Sequence, residues 1–332
     1  MATIAPSFLS GSLFGAALTA SSVYLPSVIL SQLSLTSTHM LKAFLTASAC
    51  SAIIIYLTNH FTKVRLLPRT NTNYGWFNAY DANIVGGLLQ GVGMALTGAC
   101  PGTVLVQVAL GMKTAQSVLV GGILGGLAFV LLGNKIRRSE DVIKGGTVTE
   151  HTVQQRLKVK DETAVLGYEL MLIGMIATID HIGLSQDQRD FWVSPIVGGL
   201  MIGVAQASSV LLSKKTLGIS SAYAEVATLF HRLFTGAGMQ VQYSNIVFAA
   251  GVMAGAKLAS QRVPLAAESG IDMSMPVALL GGFCSIFGGR LAGGCTSGHG
   301  ISGMSTLSVS SFVTVAAMFG GGIVFKHVWD AI

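Results

Sequence analysis

Two of the four cysteines, Cys100 and Cys295, lie in glycine-rich interruptions of long apolar segments. The first interruption is Gly98-Ala99-Cys100-Pro101-Gly102-Thr103, and the second is Gly293-Gly294-Cys295-Thr296-Ser297-Gly298-His299. In both, a helix-start signal follows the cysteine: proline in the first, threonine and serine in the second. A helix that restarts there directs unpaired backbone N–H groups and part of a positive charge at the break. With a polarizable thiol beside them, these groups predict a binding place for a small sulfur-containing anion.

Around these cysteines we expect a set of residues that bind the anion or pass it on. The set comprises Cys100, Pro101, Gly102, Arg290, Cys295, Thr296, Ser297 and His299, together with Ser21 and Ser22 from an earlier segment. We expect Cys50 to be a small buried apolar residue and favour structural packing for Cys284. Cys284 precedes Cys295 by about three helical turns, so a position on the same helix face as Cys295 remains an alternative.

Arg290 and His299 each leave two interpretations. A charge inside a membrane segment is costly, so Arg290 is expected either to attract an anion at a vestibule or to hold a backbone carbonyl. His299 follows Cys295 by four residues, which suggests a zinc site, but two ligands are too few. We expect the His299 ring to bond a neighbouring carbonyl, and we expect no metal or other cofactor.

The composition indicates a membrane protein. Of 332 residues, 51% are hydrophobic and 10% are charged, and the mean hydropathy is +0.65. A soluble domain carries roughly 25% charged residues. The net charge of +6 is spread over short loops, which argues against a nucleic-acid-binding protein. Four cysteines in a chain of this length also exclude a small disulfide-stapled domain.

Apolar segments divide the chain into two halves of all-α membrane structure. A crossing needs about 20 apolar residues, and nine segments qualify; 219–236 is a possible extra interfacial helix. The nine lie near 8–30, 38–58, 82–112, 114–133, 164–183, 192–213, 244–260, 278–306 and 308–328. Twelve of the 34 charged residues fall in 134–163. We therefore expect a first membrane repeat at 1–133, a cytoplasmic linker at 134–163, and an extra span plus a second repeat at 164–332.

The distribution of basic residues predicts the orientation. With the N-terminus in the cytoplasm, the loops on that side hold 13 lysines and arginines, and the opposite side holds four. The inside residues outside the linker are Lys63, Arg65, Arg69, Lys214, Lys215 and Arg232. The positive-inside rule therefore favours nine spans with a cytoplasmic N-terminus, in a membrane that we take to be the plasma membrane.

The two halves share a residue pattern at a constant offset. Gly86, Gly93, Gly98 and Cys100 each have a matching residue 195 positions later, at Gly281, Gly288, Gly293 and Cys295. Ala20-Ser21-Ser22-Val23 matches Ala207-Ser208-Ser209-Val210 at an offset of 187. Since one extra span follows the linker, the second repeat enters the membrane in the opposite sense. Paired, glycine-interrupted inverted repeats are typical of transporters whose site lies near the midplane.

At 288–303 and 98–103 the chain resembles the YeeE/YedE family of sulfur-compound transporters. The carrying motifs are Gly-Gly-Arg-Leu-Ala-Gly-Gly-Cys-Thr-Ser-Gly-His-Gly-Ile-Ser-Gly and Gly-Ala-Cys-Pro-Gly-Thr, and weaker similarity covers both repeats. The resemblance implies an hourglass of inverted repeats, thiosulfate uptake, and cysteines that pass the anion by S–H···S hydrogen bonds without covalent change. By motif match, Cys100 and Cys295 take that role. The resemblance also implies a possible cytosolic sulfur-carrier protein as partner and a chain that fuses two half-length units.

One position departs from the family pattern. The family has a third functional cysteine early in the chain, where this sequence has Thr19-Ala20-Ser21-Ser22-Val23. A hydroxyl donates more strongly than a thiol but prefers oxygen acceptors. The relay is therefore expected to be shorter, or the substrate to differ from thiosulfate.

Two alternatives to a permease remain at this point. Gly300-Ile301-Ser302-Gly303 resembles the Gly-x-Ser-Gly motif of rhomboid intramembrane proteases, which need a histidine on a neighbouring helix; His327 is the candidate. The other alternative is a channel or exporter for a different small anion. We favour the permease, which is not an enzyme.

Overall fold

The computed structural model describes residues 4–133, 135–138, 150–182, 191–235, 241–264 and 270–331, and its helices give these residues an all-α architecture. The first half contains α1 (Ile4–Ala20), α2 (Pro26–Leu33), α3 (His39–Phe61), α4 (Asp81–Thr97), α5 (Pro101–Ala109) and α6 (Ala115–Leu132). There follow α7 (Val153–Leu157), α8 (Asp161–Ile182), α9 (Pro195–Ser208), α10 (Ser220–Thr235), α11 (Tyr243–Ala259), α12 (Met275–Leu291) and α13 (Val309–Asp330). A π-helical turn, Ser209–Ser213, extends α9, and a second, Ser297–Gly303, precedes a 3-10 turn at Met304–Thr306.

Six helical segments in the described part of the chain are long and apolar enough to cross a membrane. They are α3, α4 with α5, α6, α8, α9 with its π-turn, and α13, while α1 and α12 are shorter apolar helices. The α4–α5 segment is 83% buried inside the protein and α8 only 17%. The interrupted segment therefore lies at the centre of a multi-pass membrane protein, and α8 lies at its edge.

Helices of the two halves pair in a reciprocal pattern. Extensive pairs include α1 with α11 and, correspondingly, α9 with α3, as well as α4 with α13 and, correspondingly, α12 with α6. At the centre α4 crosses α12 through repeat-related glycines. A Cβ on Gly86 would lie 2.4 Å from the Gly288 carbonyl oxygen, and one on Gly93 2.5 Å from that of Gly281. Only glycines permit this backbone approach, which is how membrane helices pack closely without side chains between them.

The first predicted span, 8–30, is not one helix. α1 ends at Ala20, and Ser22 adopts a left-handed conformation with φ 58°. α2 begins with Pro26, whose missing N–H suits the first helical position. The sequence pattern did not predict this break because the apolar composition continues through it.

The segment 219–236, considered as an interfacial helix, forms α10 inside the bundle. Its first turns are buried, with Tyr223 only 3% exposed, and it packs against α6, α11 and α12. The described end of the linker also lies against the protein. Thr152 pairs with Ser308 in an antiparallel bridge, and Val153 N–H donates to the Leu307 carbonyl at 2.9 Å.

Candidate functional site

The first interruption places Cys100 at the cap of α5. α4 ends at Thr97, and Gly98 turns the chain in a left-handed conformation with φ 60°. Cys100 N–H donates to Thr103 Oγ1 at 2.8 Å, and the N–H groups of Gly102 and Thr103 face Cys100 Sγ. Cys100 is 9% exposed. The structure therefore confirms the predicted helix start, with the thiol at its positive end.

The second interruption differs from that prediction in its secondary structure. α12 ends at Leu291, Gly293 turns with φ 85°, and the chain after Cys295 continues as the π-helical turn Ser297–Gly303. Of this turn, the Gly298 N–H faces Cys295 Sγ, and Ser297 Oγ lies 3.4 Å from the sulfur. Four glycines between 293 and 300 reduce helix propensity, which is consistent with a wide turn in place of an α-helix.

The α-helix that points its N-terminus at Cys295 is α10. The backbone N–H groups of Ile219 and Ser220, at the start of this 16-residue helix, face Cys295 Sγ. Cys295 is 1% exposed and shares one apolar core with Cys100. Both sulfurs are thus directed at helix starts inside the protein, away from lipid, although the second start comes from a distant part of the sequence.

A small central cavity lies next to Cys100. Its volume is about 40 Å³, which accommodates only a few water molecules. Its polar and small lining residues are Cys100, Gly102, Thr103, Thr296 and Ser297. Its apolar lining residues are Phe14, Leu18, Val23, Met40, Ala43, Phe44, Ile202 and Ile301. The lining is therefore made of buried, largely apolar residues, with one thiol and three hydroxyl groups among them.

Thr296 is placed among sulfur atoms and an amide. Its hydroxyl lies 3.6 Å from Met94 Sδ and 3.4 Å from Met318 Sδ, and it accepts a hydrogen bond from Gln90 Nε2 at 3.1 Å. Gln90 is fully buried and was not among the predicted site residues.

A larger, open depression lies on the other side of Cys295. We call it the basic vestibule; it is lined by Arg65, Arg69, Lys214, Lys215 and Cys295, with Ser220, Ser221 and backbone of the Gly293–Gly298 loop. Its volume is about 370 Å³, and no Asp or Glu of the described residues lines it. A lining with four cations and no carboxylate favours the approach of anions, and Cys295 belongs to this lining.

Arg290 lies beside the basic vestibule. Its Nη1 donates to Ser221 Oγ at 3.0 Å, and its guanidinium stacks over the Phe129 ring at 5.4 Å from the centroid. Ser221 is in the wall of the basic vestibule, so Arg290 contributes charge there through one intervening side chain. Arg290 itself is not part of the vestibule lining, so its attraction of an anion stays a prediction.

His299 has the expected carbonyl contact. Its Nε2 lies 3.1 Å from the Ala292 carbonyl oxygen, and its Nδ1 lies 2.9 Å from Ser311 Oγ. It holds the loop between α12 and the π-turn. Among the described residues no group of three His, Cys, Asp or Glu side chains is arranged to hold a metal ion.

Ser21 and Ser22 lie in the break between α1 and α2, but neither lines the central cavity. Ser21 Oγ donates to the Leu18 carbonyl at 3.3 Å, and its own carbonyl lies 2.9 Å from His39 Nε2. The neighbouring Val23 lines the cavity instead. The two serines are therefore not brought together with the cysteines, and an apolar side chain takes their place.

Two further residues at the site were not predicted. Tyr223 of α10 donates its hydroxyl to the Pro101 carbonyl at 2.7 Å, so it ties the second half to the start of α5. Arg69 donates to carbonyls on both sides of Cys295. Both residues are more than 100 positions from their partners in sequence, so no local pattern indicates the contacts. Cys50, expected to be buried, is half-buried and packs against Gly203. Cys284 is also half-buried, and neither cysteine lines the cavity or the basic vestibule.

The geometry does not support a serine protease. Ser302 Oγ donates to the Leu217 carbonyl at 2.8 Å and lies 3.3 Å from Gln206 Oε1. His327 is exposed near the end of α13, where its Nδ1 lies 2.9 Å from the Ile323 carbonyl. Within the described residues, therefore, the serine lacks the histidine base that such enzymes require.

Comparison with known proteins agrees with the fold and the motifs. The sequence profile of the sulphur transport family matches residues 20–324. Two proteins of Xylella fastidiosa, each named a probable transporter, are 30% (strain Temecula1) and 29% (strain 9a5c) identical over 134 residues. Each alignment covers 91% of the relative but 40% of this chain, as expected for relatives of about one repeat in length. The chain belongs to the sulphur transport family of membrane proteins.

Proposed function

We propose that this protein is a membrane permease for thiosulfate or a similar small sulfur-containing anion. The observation that carries the proposal is the position of Ser297. It lines the central cavity together with Cys100, and its hydroxyl lies 3.4 Å from the Sγ of Cys295, a lining residue of the basic vestibule. Cys100 and Ser297 thus share the lining of the central cavity, and Ser297 in turn contacts Cys295, which lines the basic vestibule.

The charge around these three residues favours an anion. Backbone N–H groups face both sulfurs, and the basic vestibule supplies fixed positive charge next to Cys295 alone. An anion held at Cys100 by a helix start is attracted onward by Arg69, Lys214 and Lys215. The two sites therefore differ in strength, which gives the pathway a direction of preferred occupancy toward the basic vestibule.

The lining of the central cavity favours sulfur over a small oxygen anion. Eight apolar side chains surround the cavity, and a buried charge without partners is costly there. An anion with a polarizable terminal sulfur loses less hydration and accepts weak S–H donors. Transfer then needs only hydrogen bonds, with no covalent change at either cysteine, and no enzymatic step.

A permanently open channel has less support. A cavity of about 40 Å³ is too small for a hydrated anion, so passage requires its lining to move. That requirement favours a gated permease over an open pore.

We further propose that the basic vestibule faces the cytoplasm. Its cations come from the loops after α3 and α9, which the positive-inside rule assigns to the same side as the N-terminus. This orientation fits uptake across the plasma membrane, with release into a compartment where a cytosolic sulfur-carrier protein would receive the substrate.

Radiolabelled thiosulfate uptake into proteoliposomes tests the proposal. We expect uptake by the wild-type protein and a loss of at least about tenfold in a Cys100→Ala, Cys295→Ala variant, as for a removed set of preorganised donors. The matched control is Cys50→Ala, Cys284→Ala, which makes the same change outside the cavity and should retain uptake. Absence of uptake by folded wild-type protein refutes the substrate, and unchanged uptake in the Cys100, Cys295 variant refutes the relay.

A further inference from the structure

Arg69 spans the loop that carries Cys295. Its Nη1 donates to the Gly293 carbonyl and its Nε to the Gly298 carbonyl, both at 2.7 Å. These carbonyls stand on either side of Cys295 in the chain. One rigid, planar guanidinium therefore fixes the distance between the two ends of the loop.

The glycines of this loop leave the room that the guanidinium occupies. A Cβ on Gly294 would lie 2.9 Å from Arg69 Nη1, and one on Gly298 would lie 2.9 Å from Nη2. Any other residue at either position would push against the Arg69 side chain. Arg69 thus accounts for the glycine at 298 and, together with the His299 ring, for the glycine at 294.

The backbone of Arg69 is itself held in place. Its carbonyl accepts hydrogen bonds from Ser308 Oγ at 2.6 Å and Ser310 Oγ at 3.1 Å, at the start of α13. A little further along, Thr72 Oγ1 donates to the Ala292 carbonyl at 3.2 Å. The Cys295 loop is therefore braced from one side by the segment that follows α3.

We propose that Arg69 is the positioning residue of the Cys295 site. By joining the Gly293 and Gly298 carbonyls, it keeps the Cys295 thiol against the N–H groups that start α10, where the thiol meets both Ser297 and the basic vestibule. The planar geometry of the guanidinium matters more than its charge. A lysine at this position carries an equal charge, but its single ammonium does not bridge two carbonyls in a fixed geometry. The test of this proposal by thiosulfate uptake rests on the function proposed above.

Arg69→Lys tests the inference, with Arg156→Lys as the matched control. Arg156 donates to the Glu150 carbonyl at 3.4 Å and lines neither the central cavity nor the basic vestibule. For Arg69→Lys we expect the maximal rate of thiosulfate uptake to fall about tenfold or more, as for a misplaced binding group. KM should stay within about twofold because the cationic charge is retained. Arg156→Lys should change neither.

A second measurement does not depend on the substrate. In detergent, the alkylation rates of Cys295 and Cys100 by iodoacetamide are compared in one sample by mass spectrometry. Because Cys295 is 1% exposed in the braced loop, we expect Arg69→Lys to accelerate its alkylation about fivefold or more, as for local opening, while Cys100 stays unchanged. This comparison decides the inference even if the wild-type protein does not carry thiosulfate.

Glycine variants provide an independent route if Arg69→Lys does not fold. Gly298→Ala displaces the guanidinium and should reproduce the loss of rate and the faster Cys295 alkylation. Gly218→Ala is the control, since its Cβ would lie 3.6 Å from Nη2, an ordinary contact. Wild-type rate and alkylation in Arg69→Lys overturn the inference. So does equal acceleration at Cys100, which would mean that Arg69 supports the whole fold.

Discussion

Substitution of Gly102 by alanine is expected to reduce thiosulfate uptake without lowering the stability of the protein. Gly102 is the second residue of α5 and lines the central cavity. A Cβ there would lie 3.6 Å from Phe14 Cε1, 3.8 Å from Leu18 Cδ1 and 3.9 Å from Ile219 Cγ2. These are ordinary van der Waals distances, so alanine fits without strain, but its methyl group enters the space beside Cys100.

The magnitudes follow from these contacts. A glycine-to-alanine change in a compatible helical position stabilises a protein by about 0.4–1 kcal/mol, mainly by restricting the unfolded chain. The cavity holds only about 40 Å³, so a methyl group removes a large part of it. We expect Gly102→Ala to be as stable as wild type or slightly more stable, with uptake reduced about tenfold, of the order seen when a reacting group is misplaced. Gly102→Val should abolish uptake.

Thermal unfolding in detergent and thiosulfate uptake into liposomes measure the two effects on the same preparation. The control is Gly167→Ala, on the peripheral helix α8, where a Cβ would meet nothing within 4 Å. It should share the change in stability and retain uptake. Folded Gly102→Val protein with wild-type uptake would show that the anion does not pass the central cavity.

Three further outcomes are expected. Tyr223→Phe removes the hydrogen bond to Pro101, so it should cost about 1–1.5 kcal/mol in unfolding free energy and reduce uptake, measured as above. A fluorophosphonate probe should leave Ser302 unlabelled on mass spectrometry, because no histidine activates it among the described residues; labelling would revive the protease alternative. Replacing Lys214 and Lys215 together by glutamine should raise KM for uptake with little change in maximal rate, and the difference should shrink at high salt. A salt-independent defect would contradict steering by charge.

The interruptions could be predicted because their signals are local. Pro101 and the glycines beside Cys100 and Cys295 carry the break in their own backbone chemistry, and the offset of 195 residues links the two positions. The same local reasoning predicted the carbonyl contact of His299. It did not find the break at Ser22, where apolar residues continue on both sides.

The remaining features of the site arise from contacts between distant segments. The helix start that faces Cys295 belongs to α10, which the sequence suggested only as an interfacial helix. Arg69 appeared only as one charge among those of an inside loop, and Tyr223 had no motif at all. A residue type does not specify which carbonyl it will meet 100 or more positions away, so these roles required the three-dimensional structure.

The reciprocal pairing of helices makes the halves mutually dependent for folding. α1 packs on α11, α3 on α9, and α4 on α12. Each half alone would therefore expose the broad apolar helix faces that normally pack against the other half. The covalent connection between them then contributes mainly a high effective concentration. Two separately translated fragments of this chain should associate in the bilayer and rebuild the same central cavity and basic vestibule.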